Sequence, residues 1–482
     1  MEIHSKKTSR RRFLKQANCA AIGSSSILST VLNLRMANQA AAADLGGGED
    51  CKSLVCIYLG GGMDSYNLLV PRDTTPYQDY VTTRSNLALP QSSLTQLNQA
   101  NGGDGDLYSM HGSATGMSDM FNGTGDFSGN RRLSFITNVG TLIQPTSLSD
   151  YLGKRVPLPK ALFSHKDQTE QWQTSVPQGM QQLTGWAGRA ADVLHSTLNT
   201  GATSMNISLS GNNVMQTGEQ VTQFVVTPDG ALQFSESSQN EPLFVTKNSA
   251  LKSLMDQEYS NRFERTFAGL TKDSVETSAE FTKAFSEAQT PANPFPTDRF
   301  GQQLLSILKT IEARDKLELR RQTFFVDFGG WDHHGELLES QAALLERLSP
   351  ALAAFQLGLD NLCLGNDVIT FSCSDFARTL RSNGRGTDHA WGGNAFVMGG
   401  PIDAGKVHST TLRPSGYPSI ALGGPDDIGR GGLILPTTSV DEYLGEMLTW
   451  FGVSNAAMDD VLPNLDEFYN PAVTPKPIGF LA

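Results

Sequence analysis

The segment from Thr323 to Leu380 constrains the fold more than any other. It runs from an apolar, β-rich stretch, "TFFVDF", into "LLESQAALLERLSPALAAFQLGLDNL", where Leu and Ala recur at helical spacing around an interrupting Pro350. A second apolar run, "DVITFSCSDFARTL", follows. Strand, helix, strand at this spacing is a βαβ unit, whose two strands are parallel. Parallel strands are buried on both faces and need helices above and below them. The chain is therefore predicted to be α/β, with a mostly parallel sheet sandwiched by helices. Leu54–Leu59 and Arg132–Gly140 supply further apolar strands. Residues 202–236 alternate in polarity, and Asp229-Gly230 is a hairpin signal, so this piece is expected to be a small antiparallel insertion. Residues 96–130, rich in Asn, Gly, Asp and Ser, are expected to form an exposed excursion. Residues 244–320 look mainly helical, and Ser439 to Glu442 forms a capping box for a helix near the C-terminus.

The N-terminus has the layout of an export signal. "SRRRFLK" is followed by a weakly apolar Ala/Ser-rich run and then "NQAAAAD". Its paired arginines point to the twin-arginine route, with cleavage near Ala43 and a periplasmic or secreted product. The expected organisation is a signal peptide over 1–43 and one α/β domain over 44–482. Residues 1–43 carry seven Lys/Arg and one Glu, so their removal takes the formal net charge from −12 to −18. A body that acidic repels nucleic acid and anionic membranes. No later segment approaches the roughly 18 apolar residues that would span a bilayer. Four cysteines follow the cleavage point, Cys51, Cys56, Cys363 and Cys373. They could pair in an oxidising compartment in any of three ways, and none has the C-x-x-C spacing of a thiolate zinc site.

Three predicted strands end alike. Leu54–Leu59 runs into Gly60, Gly61, Gly62 and Asp64, and Thr323–Asp327 runs into Gly329, Gly330, Asp332, His333 and His334. Val368–Cys373 runs into Ser374 and Asp375. In an open parallel sheet the C-terminal strand ends share one edge, where ligands bind. A lone Asp after a strand is most often a helix cap or turn residue. Three together repel one another unless a cation sits among them. A further glycine-rich loop adds Asp388 and His389. Mixed carboxylate and imidazole donors suit zinc, manganese or iron, whereas calcium and magnesium favour all-oxygen shells. His333 and His334 are adjacent, so one of them is expected to point inward.

The ordered motifs "YLGGGMDSYNLLVP", "LFSHKDQTEQWQT", "GGWDHHGE", "CSDFARTLRSNGRGTDHAWGG" and "LPTTSVDEYLGEMLTWFGV" resemble those of the domain of unknown function 1501 family of twin-arginine-exported bacterial proteins. That family is similar to the alkaline-phosphatase-like and sulfatase-like superfamily. The resemblance implies one or two divalent ions, zinc or manganese favoured and calcium or magnesium also compatible. It implies Asp64, Asp332, His334, Asp375 and His389 as ligands. Where phosphatases follow the last acid with His, this chain has Phe376, so the resemblance implies either a weakened metal position or one filled by a different ligand such as His333 or Asp388. Ser164, ahead of a helical stretch, is the implied nucleophile, with Ser65 as the alternative and a plain N-cap as its structural role. Arg378 is expected to receive an anionic ester oxygen or to form a structural ion pair. His111 is given no role. The implied activity is hydrolysis of a small phosphate or sulfate ester. The alternative is a non-catalytic exported protein of the same fold, acting in binding or assembly with an unknown protein partner.

Overall fold

The chain is described by a computed structural model over residues 50–179, 183–232, 242–413, 416–429 and 431–482. The expected signal segment, residues 1–43, and residues 233–236 of the expected insertion lie outside the described residues. The strands in chain order are β1 (Lys52–Tyr58), β2 (Leu69–Pro71), β3 (Leu94–Leu97), β4 (Tyr108–His111), β5 (Leu133–Gly140), β6 (Asn206–Ser208) and β7 (Phe224–Thr227). They continue with β8 (Gly230–Ala231), β9 (Arg321–Asp327), β10 (Val368–Cys373), β11 (Gly393–Gly399), β12 (Val407–His408) and β13 (Thr438–Ser439).

Ten strands form one sheet in the order β12-β5-β11-β10-β1-β9-β6-β7-β8, with β13 also on β5. β1 lies parallel between β10 and β9, as the βαβ reading requires. The helix between β9 and β10, Leu337–Asn361, runs unbroken through Pro350. Its lost backbone bond is offset by the burial of Leu345, Leu348, Leu352, Phe355 and Leu359 in the core.

The strands sort their side chains with a period of two. Val55, Ile57, Phe324 and Val326 face the layer that includes helices Arg299–Glu312 and Leu337–Asn361. Leu54, Cys56, Phe325 and Phe371 face the layer that includes Trp186–Leu198 and Val440–Phe451. The sheet is thus covered on both faces. Among the described residues no helix is long and apolar enough to cross a membrane.

Two regional expectations change. β6 and β7 do not form a separate antiparallel piece: β6 pairs parallel with β9 and β7 parallel with β6, extending the main sheet. Only the β7–β8 hairpin at Asp229-Gly230 is antiparallel there. The small antiparallel sheet is instead β2-β4-β3. Residues 96–130 are not a wholly exposed excursion either. Met110 on β4 and Met117, Met120 and Phe121 on the helix Thr115–Asn122 are buried in the main core. The four cysteines are free thiols; Cys56 and Cys373, on neighbouring strands, hold their sulfurs 3.3 Å apart.

The helix Val440–Phe451 opens with the expected Ser439/Glu442 capping box. Its Asp441 is buried and accepts a hydrogen bond from Ser175 Oγ at 2.8 Å. Ser175 caps the far end of the helix His165–Thr174, so this bond anchors an element of the site below. Burial pushes the Asp441 carboxyl up to about 7. A raised acid pKa means the fold favours the protonated form. The penalty is absent below the ordinary value of 3.8 and complete above about 7. Wild type is therefore expected to lose stability relative to Asp441→Asn as pH rises through that window. Denaturant midpoints of both proteins on either side of it check this; parallel pH profiles would contradict it.

Candidate metal centre

The three central strands end level. Tyr58 of β1 is in register with Asp327 of β9 and Cys373 of β10. Their loops then run side by side and are tied together: Gly60 O accepts from Gly330 N and from Trp331 N, each at 3.1 Å. Gly61 has φ +113°, and a Cβ there would stand 2.6 Å from Asp332 N. Only glycine lets this loop close onto the one that carries Asp332.

Asp332 is the hub. Its Oδ1 accepts from Arg378 Nη1 at 2.8 Å and lies 3.0 Å from His334 Nε2 and 3.4 Å from His389 Nε2. Its Oδ2 lies 3.4 Å from His165 Nε2. His334 Nε2 and His389 Nε2 are 3.1 Å apart. His165, Asp332 and His389 together offer ligand atoms that all lie within 4.8 Å of one another. Burial opposes ionisation of Asp332, but the hydrogen bond and charge of Arg378 outweigh it and hold the carboxyl below its ordinary value. Burial lowers the pKa of His389, which favours the neutral ring a metal needs.

Each histidine is held from behind through Nδ1. His165 Nδ1 lies 2.6 Å from Asp375 Oδ2, His389 Nδ1 2.7 Å from the carbonyl of Phe163, and His334 Nδ1 3.2 Å from Asp388 Oδ1. Different elements bring them in. His165 opens the helix His165–Thr174. His389 is carried by a short antiparallel pairing with Arg378. His334 follows the turn after β9. Phe376, next to Asp375, packs its ring 4.7 Å from His165 and 4.5 Å from His389. It forms a wall against the two rings.

The structure therefore gathers Asp332, His334 and His389 of the expected ligands and adds His165. Asp375 sits one step behind. Its Oδ1 accepts from the Tyr58 hydroxyl and Gly61 N, and its Oδ2 takes His165. Asp64 is placed elsewhere, which corrects the expectation that it joins the edge cluster. It is fully buried and paired with the fully buried Arg84, from the helix Thr74–Arg84. Of the two adjacent histidines, His334 turns to the cluster and His333 is buried with its ring 6.2 Å from Trp331. Arg378 is buried and held by Asp332 and by the carbonyl and hydroxyl of Thr387, so it takes the structural ion-pair role. Ser164 is the N-cap residue, and its Oγ donates to Asp167. Ser65 is buried, with its Oγ accepting from Asn394 N at 2.8 Å. His111 Nδ1 accepts from Ser113 N.

The donor set fits a divalent ion. His165 Nε2 is buried without a hydrogen-bond partner and faces a carboxylate oxygen too distant for a good bond. A buried orphan of this kind calls for an explanation, and a cation between the two atoms supplies one. Sequence reasoning missed Tyr58, which looked like one more apolar strand residue, and the Phe163 carbonyl. The signal for His165 was its place in "SHKD" ahead of a helical stretch.

No curated protein matches the chain. A family model described as a protein of unknown function (DUF1501) matches residues 51–418, a span that holds every side chain of the cluster. With most of its length under that match, the chain belongs to the DUF1501 family.

Proposed function

We propose that the chain is a metal-dependent hydrolase of phosphate or sulfate esters, exported by the twin-arginine route and built on an alkaline-phosphatase-like fold. The observation that carries this reading is the convergence of His165, His334 and His389 on Asp332 at the C-terminal edge of the parallel strands. The cluster is open to solvent: the side chains of His334 and Asp332 are 47% and 44% exposed, enough for a substrate to reach them. A divalent ion held there would polarise an ester oxygen and acidify water.

The chain's own groups set the stage. Arg378 fixes the Asp332 carboxylate from beneath. Asp375 accepts the proton-bearing Nδ1 of His165 and so aims its Nε2 at the cluster. The first turn of the helix His165–Thr174 opens beside these groups. Its N–H groups have no carbonyl partner within the helix and favour an anionic substrate.

A specific observation favours the second reading, a non-catalytic exported binding or assembly component. Neither expected catalytic side chain is free: Arg378 is committed to Asp332 and Thr387, and Ser164 to Asp167. The two readings separate in one assay. Metal-loaded protein is expected to turn over aryl phosphates or aryl sulfates and to lose that turnover on chelation. Bound metal without turnover on either ester class supports the binding role instead.

A further inference from the structure

We propose that Asp332, His334, His389 and His165 form one nitrogen-rich site for a late first-row divalent ion, with zinc as the reference, that discriminates against magnesium and calcium. The proposal rests on the metal-centre half of the reading above and not on hydrolysis.

The argument starts with proton placement. Every Nδ1 of the three rings faces an oxygen that can only accept: the Asp375 carboxylate, the Phe163 carbonyl and the Asp388 carboxylate. In a neutral imidazole one nitrogen donates and the other accepts. For His165 and His389 the Nδ1 contact is the shorter one, 2.6 and 2.7 Å against 3.4 Å from each Nε2 to Asp332, so Nδ1 carries the proton and Nε2 the lone pair. His334, 3.2 Å from Asp388 and 3.0 Å from Asp332, takes the same tautomer when a cation holds its Nε2. His334 Nε2 and His389 Nε2 stand 3.1 Å apart, with Asp332 Oδ1 at 3.0 and 3.4 Å from them. In that tautomer two lone pairs and an anionic oxygen converge at these separations, an arrangement that a shared cation holds together.

The spacing suits such a cation. Ligand atoms about 2.0–2.2 Å from a common ion, at angles between octahedral and tetrahedral, lie about 2.9–3.5 Å apart. All three separations fall in that range. His165 Nε2, orphaned and 3.4 Å from the second carboxylate oxygen, is the remaining donor. Three neutral imidazoles and one carboxylate place most of the donor strength on nitrogen. That suits zinc and its neighbours and leaves magnesium and calcium, which need six or more oxygens, poorly served. Asp375 and Asp388 then act as positioning residues that hold the rings by Nδ1, the arrangement common behind metal-bound histidine.

The test uses the full chain, stripped by chelation and titrated calorimetrically with zinc, magnesium and calcium. One zinc ion per chain is expected, with magnesium and calcium weaker by at least about 100-fold. His334→Ala, in a loop exposed enough to leave folding intact, is expected to weaken zinc by about 10–100-fold and to alter the visible spectrum of the cobalt-substituted protein. Asp388→Ala, 61% exposed in wild type, is expected to weaken zinc by about 10-fold while leaving the cobalt spectrum unchanged. Two ions per chain, comparable magnesium or calcium binding, or a silent His334→Ala overturns the proposal. Zinc binding without ester turnover defeats the hydrolase reading alone, and turnover with magnesium as the preferred ion defeats this one alone.

Discussion

Asp64→Ala is expected to cost about 3–5 kcal/mol of folding stability while leaving zinc affinity within about two-fold of wild type. The motif at this position, an acid just after a glycine-ended strand, is the same as at Asp332, but the surroundings differ. Asp64 and Arg84 are both fully buried and bonded to each other. Arg84 also donates through Nε to Asn67 Oδ1 at 3.2 Å and through Nη1 to the carbonyls of Thr379 and Leu380 at 3.1 and 3.2 Å. The Asp64 backbone carbonyl accepts from Gln341 Nε2 at 2.9 Å. This knot joins the first glycine loop, the helix Thr74–Arg84, the segment after β10 and the long helix Leu337–Asn361. Removing the carboxylate leaves a guanidinium in the interior without its counter-charge, and that uncompensated charge dominates the cost. Chemical denaturation gives the stability change, and a zinc titration of the same protein gives the second readout. A folded Asp64→Ala that no longer binds zinc would make Asp64 a ligand after all and reverse the assignment.

The difference between Asp64 and Asp332 marks how far local pattern carries. The strand ends were legible because a parallel sheet must put them on one edge, and glycines followed by acids mark chain reversals there. What each acid then faces depends on partners remote in sequence. Nothing in "TTPYQDYVTTR" announces that its last residue is buried against an acid twenty residues earlier. Asp375 carries the same signature yet meets His165, which arrives from a helix two hundred and ten residues away. Tyr58 looked like core because its aromatic body is core; only its hydroxyl reaches Asp375. The alternation in residues 202–236 was real but ambiguous. Phe224–Thr227, far along the sheet from its centre, is only partly buried and shows the polarity of a half-covered strand while pairing in parallel. In the excursion at 96–130 the polar tip, residues 98–107, dilutes the apolar signal of the methionines and phenylalanine that follow. β4 and the helix Thr115–Asn122 turn those into the core.

Asp332→Asn is expected to lower zinc affinity by about 100-fold, to abolish any metal-dependent turnover and to leave the fold intact. The asparagine retains an oxygen for Arg378 Nη1, which now sits 2.8 Å from the carboxylate, so the buried guanidinium keeps an acceptor. The negative charge is what it lacks. That charge is the only carboxylate among the four donors, and it faces His334 and His389 through one oxygen and His165 through the other. In wild type it also offsets Arg378, which is fully buried beneath it. With the charge gone, a bound cation loses an attraction and meets an uncompensated guanidinium. At the intermediate effective dielectric of a half-exposed group, the two effects together amount to roughly 3 kcal/mol, about two decades in affinity. The stability cost should be smaller than for Asp64, because Asp332 is 44% exposed and water screens the pair. The decisive comparison is zinc calorimetry and thermal unfolding on the same preparation. Weakened zinc with a near-native transition places Asp332 at the centre of the site. Unchanged zinc affinity in a folded Asp332→Asn would mean that the histidines gather for another reason, and the hydrolase reading would go with it.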